Sequence, residues 1–225
     1  MAARAALDEL PQEGVVGLGS GSTAQLFVEE LAVRVRAGLR IVGVPTSEVT
    51  RAHAASLGIP LMPDEGPWTI DVNVDGADEV SATLDLIKGG GGAHAREKIV
   101  NYASMRNVII VDGSKMSARL GERSAVPVEV LPFAHKTTRE HLAKLGSPRL
   151  RMRESEPVRT DAGNLIYDLA TGPIDDAYAQ PFDQVPFDAA LRRIPGIVET
   201  GLFIGRADVV IVANPQGARR LQRAT

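Results

Sequence analysis

One pattern constrains this chain more than any other. Short β-branched runs, each closed by a glycine- or hydroxyl-rich turn, alternate with segments of helical periodicity. Val15-Val16-Gly17-Leu18 reads as a buried strand, Gly19-Ser20-Gly21-Ser22-Thr23 as a loop, and Ala24–Ala37 as a helix with Leu26, Phe27, Leu31 and Val35 near helical spacing. Ile41–Val44, the turn Pro45-Thr46-Ser47 and a helix over Glu48–Leu57, stopped by Gly58, repeat the unit. Ile70–Val74 is a third strand, Leu84–Ile87 a short one, Gly89–Gly92 a loop and Ala95–Ser104 a helix; Val108–Val111 is the most apolar strand. This series predicts a Rossmann-like α/β domain, a mostly parallel sheet with helices on both faces. In such sheets ligands sit beyond the carboxyl ends of the strands, where these loops fall.

The pattern changes after Val126–Val130. A helix is expected over Phe133–Leu145, then antiparallel strands at Arg149–Arg153 and Asn164–Leu169 joined through Thr160-Asp161-Ala162-Gly163. A helix over Phe187–Arg192 and a strand over Ile197–Phe203 complete a smaller, inserted α+β domain of ferredoxin-like kind. Val209–Ala213 returns to the main sheet, and Gln216–Arg223 is expected as a closing helix. The expected division is 1–126 for the main domain, 127–203 for the smaller one and 204–225 for the return.

Composition narrows the functions. With 225 residues and 44% hydrophobic ones, the chain can bury a sizeable core. A net charge of −3 disfavours binding nucleic acid through its phosphates. Zero cysteines exclude a disulfide scaffold, a thiolate nucleophile and thiolate-ligated metals. No apolar run approaches the roughly 18 residues of a membrane span, and Met1–Leu10 has no signal-peptide character. A soluble cytoplasmic protein is expected, with neither nucleic acid nor membrane as partner.

Several segments carry chemistry. Gly19–Thr23, between a strand and a helix, can cradle an anion on free amides, hydroxyls and the positive end of the helix dipole; alternatively Ser22 or Thr23 only caps the helix. It is not a Walker A loop, since no Gly-Lys-Ser/Thr follows. Asp71, Asp75, Asp78 and Glu79 can bind magnesium, supply a group for acid–base work, or form a solvated turn at Asp75-Gly76-Ala77-Asp78. Four glycines after Lys88 cost backbone entropy, which points to a need for backbone access there. Glu97, near that lysine and loop, is a candidate general base, although it also complements the helix dipole. His94 is a rival base or a solvated loop residue, and Lys115 is a second candidate phosphate cation or an exposed turn lysine. His53, His135 and His141 lack metal spacing and are assigned nothing.

Together, in order and over nearly the whole chain, these segments resemble ribose-5-phosphate isomerase of the A type. The resemblance rests on Gly19–Thr23, Thr46-Ser47, Asp75-Gly76-Ala77-Asp78-Glu79, Lys88–Gly91 with Arg96-Glu97-Lys98, Ser114-Lys115, Pro127–Val130, Thr160-Asp161-x-Gly163-Asn164 and Ile194–Val198. It implies that Glu97 carries a proton between C1 and C2 of the opened sugar and that Lys88 stabilises the enediolate. Asp75 and Asp78 would hold hydroxyls and assist ring opening, and Gly76 and Ala77 between them would contact the substrate. Ser20, Gly21, Ser22, Thr23, Gly89, Gly90, Gly91 and Lys115 would meet a pentose phosphate substrate. It further implies no metal and no cofactor, and a homodimer or homotetramer. The chain departs from the family's pattern at a shortened first helix without a lysine, at Ser20 in place of a threonine, and at His94-Ala95.

Three other readings differ in class. A sugar-phosphate-responsive regulator would carry a DNA-binding unit, for which the residues before Gly19 leave no room. A coenzyme A transferase-like enzyme would form a covalent thioester on a glutamate. A dehydrogenase would want an acidic residue about 20 positions beyond the loop; Glu48 lies near there but follows Pro45-Thr46-Ser47 instead of ending the strand.

Overall fold

The structure is a computed structural model, and it describes residues 1–174 and 185–223. In chain order the elements are α1 (Ala2–Ala5), β1 (Glu13–Leu18), α2 (Ser22–Arg36), β2 (Arg40–Pro45), α3 (Glu48–Ser56), β3 (Val72–Asp75), β4 (Glu79–Val80), β5 (Leu86–Ile87), α4 (His94–Tyr102) and β6 (Asn107–Asp112). Then follow β7 (Val126–Val130), α5 (His135–Leu142), β8 (Ser147–Leu150), β9 (Met152–Arg153), β10 (Glu156–Pro157), β11 (Leu165–Ala170), α6 (Val185–Arg192), β12 (Ile197–Thr200), β13 (Leu202–Phe203), β14 (Val209–Asn214) and β15 (Gly217–Gln222).

The chain forms two compact units. The first comprises Met1–Ala77, Arg96–Ser114 and Arg206–Thr225; the second comprises Asp78–Ala95 and Lys115–Gly205. The expected boundary at 126/127 left residues 78–95 and 115–126 in the main domain, whereas their contacts place them in the second unit.

In the first unit a six-stranded sheet runs β15-β14-β6-β3-β1-β2, parallel except for β15. Strand alternation sorts its side chains. Val16 and Leu18 of β1 pack with Phe27, Val28, Leu31 and Ala32 of α2 and Ala54 of α3, while Val15 packs with Val44, Ile70 and Val100 of α4. The helices therefore cover both faces, and Val108–Val111 of β6 is buried throughout, as a doubly covered strand requires. The apolar stripe of α2 runs through Phe27, Val28, Leu31 and Ala32; Leu26, expected on it, is 55% exposed.

One expected element changes type. Residues 216–223 form no helix. Pro215 sits in the turn, Gln216 N donates to Asn214 Oδ1 at 2.9 Å, and β15 pairs antiparallel with β14 from Asn214↔Gly217 to Val209↔Gln222. The free edge of β14 takes a partner, and the exposed Arg219 and Arg220 keep the new edge charged.

In the second unit the order β7-α5-β8-β11-α6-β12 is a βαββαβ unit. Its sheet is β12-β7-β11-β8, with every neighbouring pair antiparallel, which is the ferredoxin-like arrangement expected. Val126, Val128, Val130, Leu165, Tyr167, Leu169, Phe187 and Leu191 form its core. Three local details differ from the sequence reading. The helix of 133–145 spans only His135–Leu142, entered through a left-handed Ala134. Leu84, at φ 62°, lies outside the strand that begins at Leu86. The expected strand Ile197–Phe203 divides at Gly201 between β12 and β13 of a separate β13-β5-β4 sheet. A Cβ on Gly201 would lie 2.3 Å from Lys88 O, so the backbone approaches too closely there for any side chain.

Candidate active site

The first unit builds a hydroxyl-lined loop around one carboxylate. β1 ends at Leu18, and α2 starts at Ser22 behind a glycine N-cap with φ 88°, so no side chain covers its first amides. Gly19 is dictated by space, because a Cβ there would lie 2.1 Å from Asp75 Oδ1. That same oxygen accepts Ser20 N at 3.0 Å and Gly76 N at 2.7 Å. Asp75 ends β3 and is fully buried. The Ser20 hydroxyl donates to Ser47 Oγ at 2.9 Å, Ser47 Oγ to Thr50 Oγ1 at 3.0 Å, and Thr50 Oγ1 to Gly19 O at 3.1 Å. Thr46 Oγ1 lies 2.7 Å from Ser20 Oγ and also bonds Leu18 O at 3.1 Å.

Thr46 and Ser47, quoted for the resemblance without an assigned role, and Thr50, which the sequence reading passed over, support this loop. Their signal was present: Ser47 is a helix N-cap accepting Thr50 N at 3.1 Å, placed directly after β2. Glu97 stands in the first turn of α4 at 4% exposure, next to the equally buried Lys98. One residue earlier, Arg96 Nη1 donates to Glu48 Oε1 of α3 at 2.6 Å.

The second unit builds the glycine loop. Lys88 follows β5, its amide donates to Gly201 O at 2.9 Å, and its ammonium lies 5.6 Å from the Phe203 ring centroid. It is a buried cation, 3% exposed. Asp78 Oδ2 accepts Gly90 N at 2.7 Å, and a Cβ on Gly90 would lie 2.6 Å from Asp78 Oδ1. Gly89 has φ 108°, and a Cβ there would lie 2.7 Å from His94 Nδ1. His94 is completely buried against that glycine, which corrects its reading as a solvated loop histidine. Lys115 ends a short 3-10 turn after β6, half-buried. A salt-bridged arginine, Arg151, also touches this loop, donating to Gly89 O at 2.7 Å. Nothing in the periodicity around it marked it.

The four acidic residues from 71 to 79 do not act as one group. Asp71 precedes β3, roughly 13 Å along the strand from Asp75, and its Oδ2 accepts Val15 N at 2.8 Å. Glu79 is buried in the second unit, where it accepts the amides of Gly121, Glu122, Arg123 and Ser124 at 2.9–3.3 Å. Both carboxylates serve the backbone, which corrects the magnesium reading of the cluster. Among the described residues, no three His, Asp or Glu side chains gather as a metal site, and no helix is long and apolar enough to cross a membrane.

Comparisons with known proteins agree on one family. The sequence model of ribose 5-phosphate isomerase A (phosphoriboisomerase A) matches residues 42–217. The chain is 47% identical to ribose-5-phosphate isomerase A of Gloeobacter violaceus over 218 residues, covering 96% of this chain and 92% of that one. It is 47% identical to the Caulobacter vibrioides protein of the same name over 222 residues, covering 95% and 93%. Among solved structures it is similar to ribose 5-phosphate isomerase A from Methanocaldococcus jannaschii, with 39% identity, coverage of 98% and 96% and a TM-score of 0.89. It is also similar to a D-ribose-5-phosphate isomerase in complex with phospho-erythronic acid, with 38% identity, coverage of 99% and 96% and a TM-score of 0.92.

Proposed function

The chain belongs to the ribose 5-phosphate isomerase A family, and from that premise we propose the division of labour by which it interconverts D-ribose 5-phosphate and D-ribulose 5-phosphate. This aldose–ketose isomerisation, a step of the non-oxidative pentose phosphate pathway, runs through an enediolate. Moving a proton between C1 and C2 needs a base over the two carbons and positive charge near the oxygen that becomes anionic. We assign the base to Glu97 and the charge to Lys88. Asp75 and Asp78 hold sugar hydroxyls and assist ring opening. The Gly21 cap, the first amides of α2 and the hydroxyls of Ser22 and Thr23 receive the phosphate, with Lys115 as a further cation.

One observation carries the reading: Asp75 Oδ1 accepts the amide of Ser20 at 3.0 Å. The carboxylate assigned to the sugar and the loop assigned to the phosphate are thereby locked to each other. Phosphate binding then holds the open chain in register, so remote binding energy serves the reaction. The phospho-erythronic acid bound to a relative, a phosphorylated sugar acid, supports the substrate class.

We place the enzyme in the cytoplasm as a homodimer or homotetramer acting without metal or cofactor. The exposed Ile99, Tyr102 and Met105 give the first unit an apolar face that a second copy can cover. Purified protein supplied with ribose 5-phosphate should yield ketopentose phosphate, and the yield should be unchanged by EDTA. Activity lost to the chelator and restored by magnesium would contradict the metal-free reading and make the Asp71–Glu79 cluster a metal site.

A further inference from the structure

In the second unit, the sheet face turned away from the apolar core carries charged groups that the isomerisation as described does not use. Leu165, Tyr167 and Leu169 of β11 enter the core, so Ile166 and Asp168 project to the other side. Arg149 stands opposite Asp168 in register, and Arg151, just past β8, shares its side of the sheet; Arg151 N donates to Ile166 O at 2.8 Å. Arg151 Nε donates to Asp168 Oδ2 at 3.0 Å, and Nη2 bonds the other oxygen, a two-toothed pair. The remaining Nη1 donates to Gly89 O at 2.7 Å and to Gly90 O at 3.1 Å.

A planar trans peptide sends its C=O and the following N–H in opposite directions. With Gly89 C=O aimed at Arg151, the Gly90 N–H points the other way, and there it donates to Asp78 Oδ2 at 2.7 Å. With Gly90 C=O aimed at Arg151 as well, the Gly91 N–H turns away from the guanidinium. Consecutive glycines have the most backbone freedom to lose, so an ordered run of them needs an external restraint. Lysine cannot supply this one, because a single ammonium cannot meet a carboxylate with two parallel bonds while donating to two carbonyls from a fixed fork.

We infer that Arg151, oriented by Asp168, is a positioning residue for the isomerisation. It clamps Gly89–Gly90 from behind, and so fixes the Asp78 carboxylate and the direction in which Gly91 presents its amide to substrate. The inference rests on the assignment of Asp78 and the glycine loop to substrate.

The test compares wild type with Arg151→Ala, Arg151→Lys, Asp168→Ala and the Arg151→Ala/Asp168→Ala double variant, assayed on ribose 5-phosphate. Arg151→Ala should lower kcat roughly 10- to 100-fold, the effect of a small misplacement of reacting groups, with a smaller change in KM. Arg151→Lys should fall similarly while melting near wild type, which keeps the test valid if the alanine variant does not fold. The double variant should be no slower than Arg151→Ala, since Asp168 acts through Arg151. Added guanidinium should restore part of the kcat of Arg151→Ala, and sodium chloride of equal ionic strength should not. Amide exchange over residues 88–92 should quicken in Arg151→Lys, a readout independent of activity. Unchanged kcat in a folded Arg151 variant, additive losses in the double variant, or no guanidinium rescue would each overturn the inference. Failure of the assigned mechanism shows separately, as an inactive wild type or a fully active Glu97→Gln.

Discussion

Asp75 gathers the loop backbone of the first unit on a single oxygen. Oδ1 accepts two backbone amides, and Gly19 leaves it the space to do so. Through these two bonds Asp75 ties the β1–α2 loop to the end of β3, the position from which it is proposed to hold a sugar hydroxyl. Lys88, proposed to stabilise the enediolate, is a buried ammonium against an aromatic face. Replacing Lys88 with alanine should lower kcat by roughly 10²–10³-fold, the usual loss for one oxyanion-stabilising group. Steady-state kinetics on the folded variant decide it, and an unchanged kcat would remove Lys88 from the mechanism.

At the scale of elements, the β1–α2 junction and the Ser47 cap of α3 form one piece, closed by the relay Ser20→Ser47→Thr50→Gly19 and proposed to receive the phosphate. Free ribose lacks the phosphate, so on this proposal it should bind more weakly and turn over more slowly than ribose 5-phosphate. Equal kcat/KM for the two sugars would refute the phosphate assignment. Glu79 does comparable work for stability by gathering the amides of 121–124. Glu79→Gln turns part of that acceptor into a donor facing donors and should cost about 3 kcal/mol, read from the urea unfolding midpoint. A midpoint equal to wild type would show that water satisfies those amides as well.

The strands, loops and helices of the parallel sheet were legible because period and punctuation are local signals, and the same loops drew attention to Asp75, Lys88 and Glu97, whose roles are proposed. Residues 216–223 misled because only the unpaired edge of β14, a tertiary fact, makes them a strand. Gly201 split a strand through a backbone contact with Lys88, more than a hundred positions away. The Arg151–Asp168 clamp left no trace, since a salt bridge across a β-sheet has no fixed sequence spacing.

On the whole molecule, charge ties the ends of the chain to the sheet of the first unit. Glu9, after α1, bonds Arg220 on β15 at 2.7 Å and pairs with Arg106 at the entry to β6. Burial alone would raise the Glu9 pKa, yet Arg220 and Arg106 together hold it below the ordinary carboxylate range. A folded-state pKa below the unfolded one contributes stability above the unfolded value of about 4.3 and loses it as pH falls through the folded value. Wild type should therefore melt above Glu9→Gln near neutral pH, and the gap should close in acid. A gap constant from neutral pH to about pH 3 would mean that the Glu9 charge does not serve stability.

Glu97 is proposed to carry one proton between neighbouring carbons, and turnover of ribose 5-phosphate in heavy water is the decisive assay. A carboxylic acid exchanges with solvent between the two transfers, so wild type should place deuterium on the carbon that accepts the proton. Glu97→Gln, folded and still binding substrate, should lose roughly 10²–10⁴-fold in kcat, the share of a general base. Product free of deuterium, together with near-normal turnover by Glu97→Gln, would contradict the account and point to a direct hydride shift.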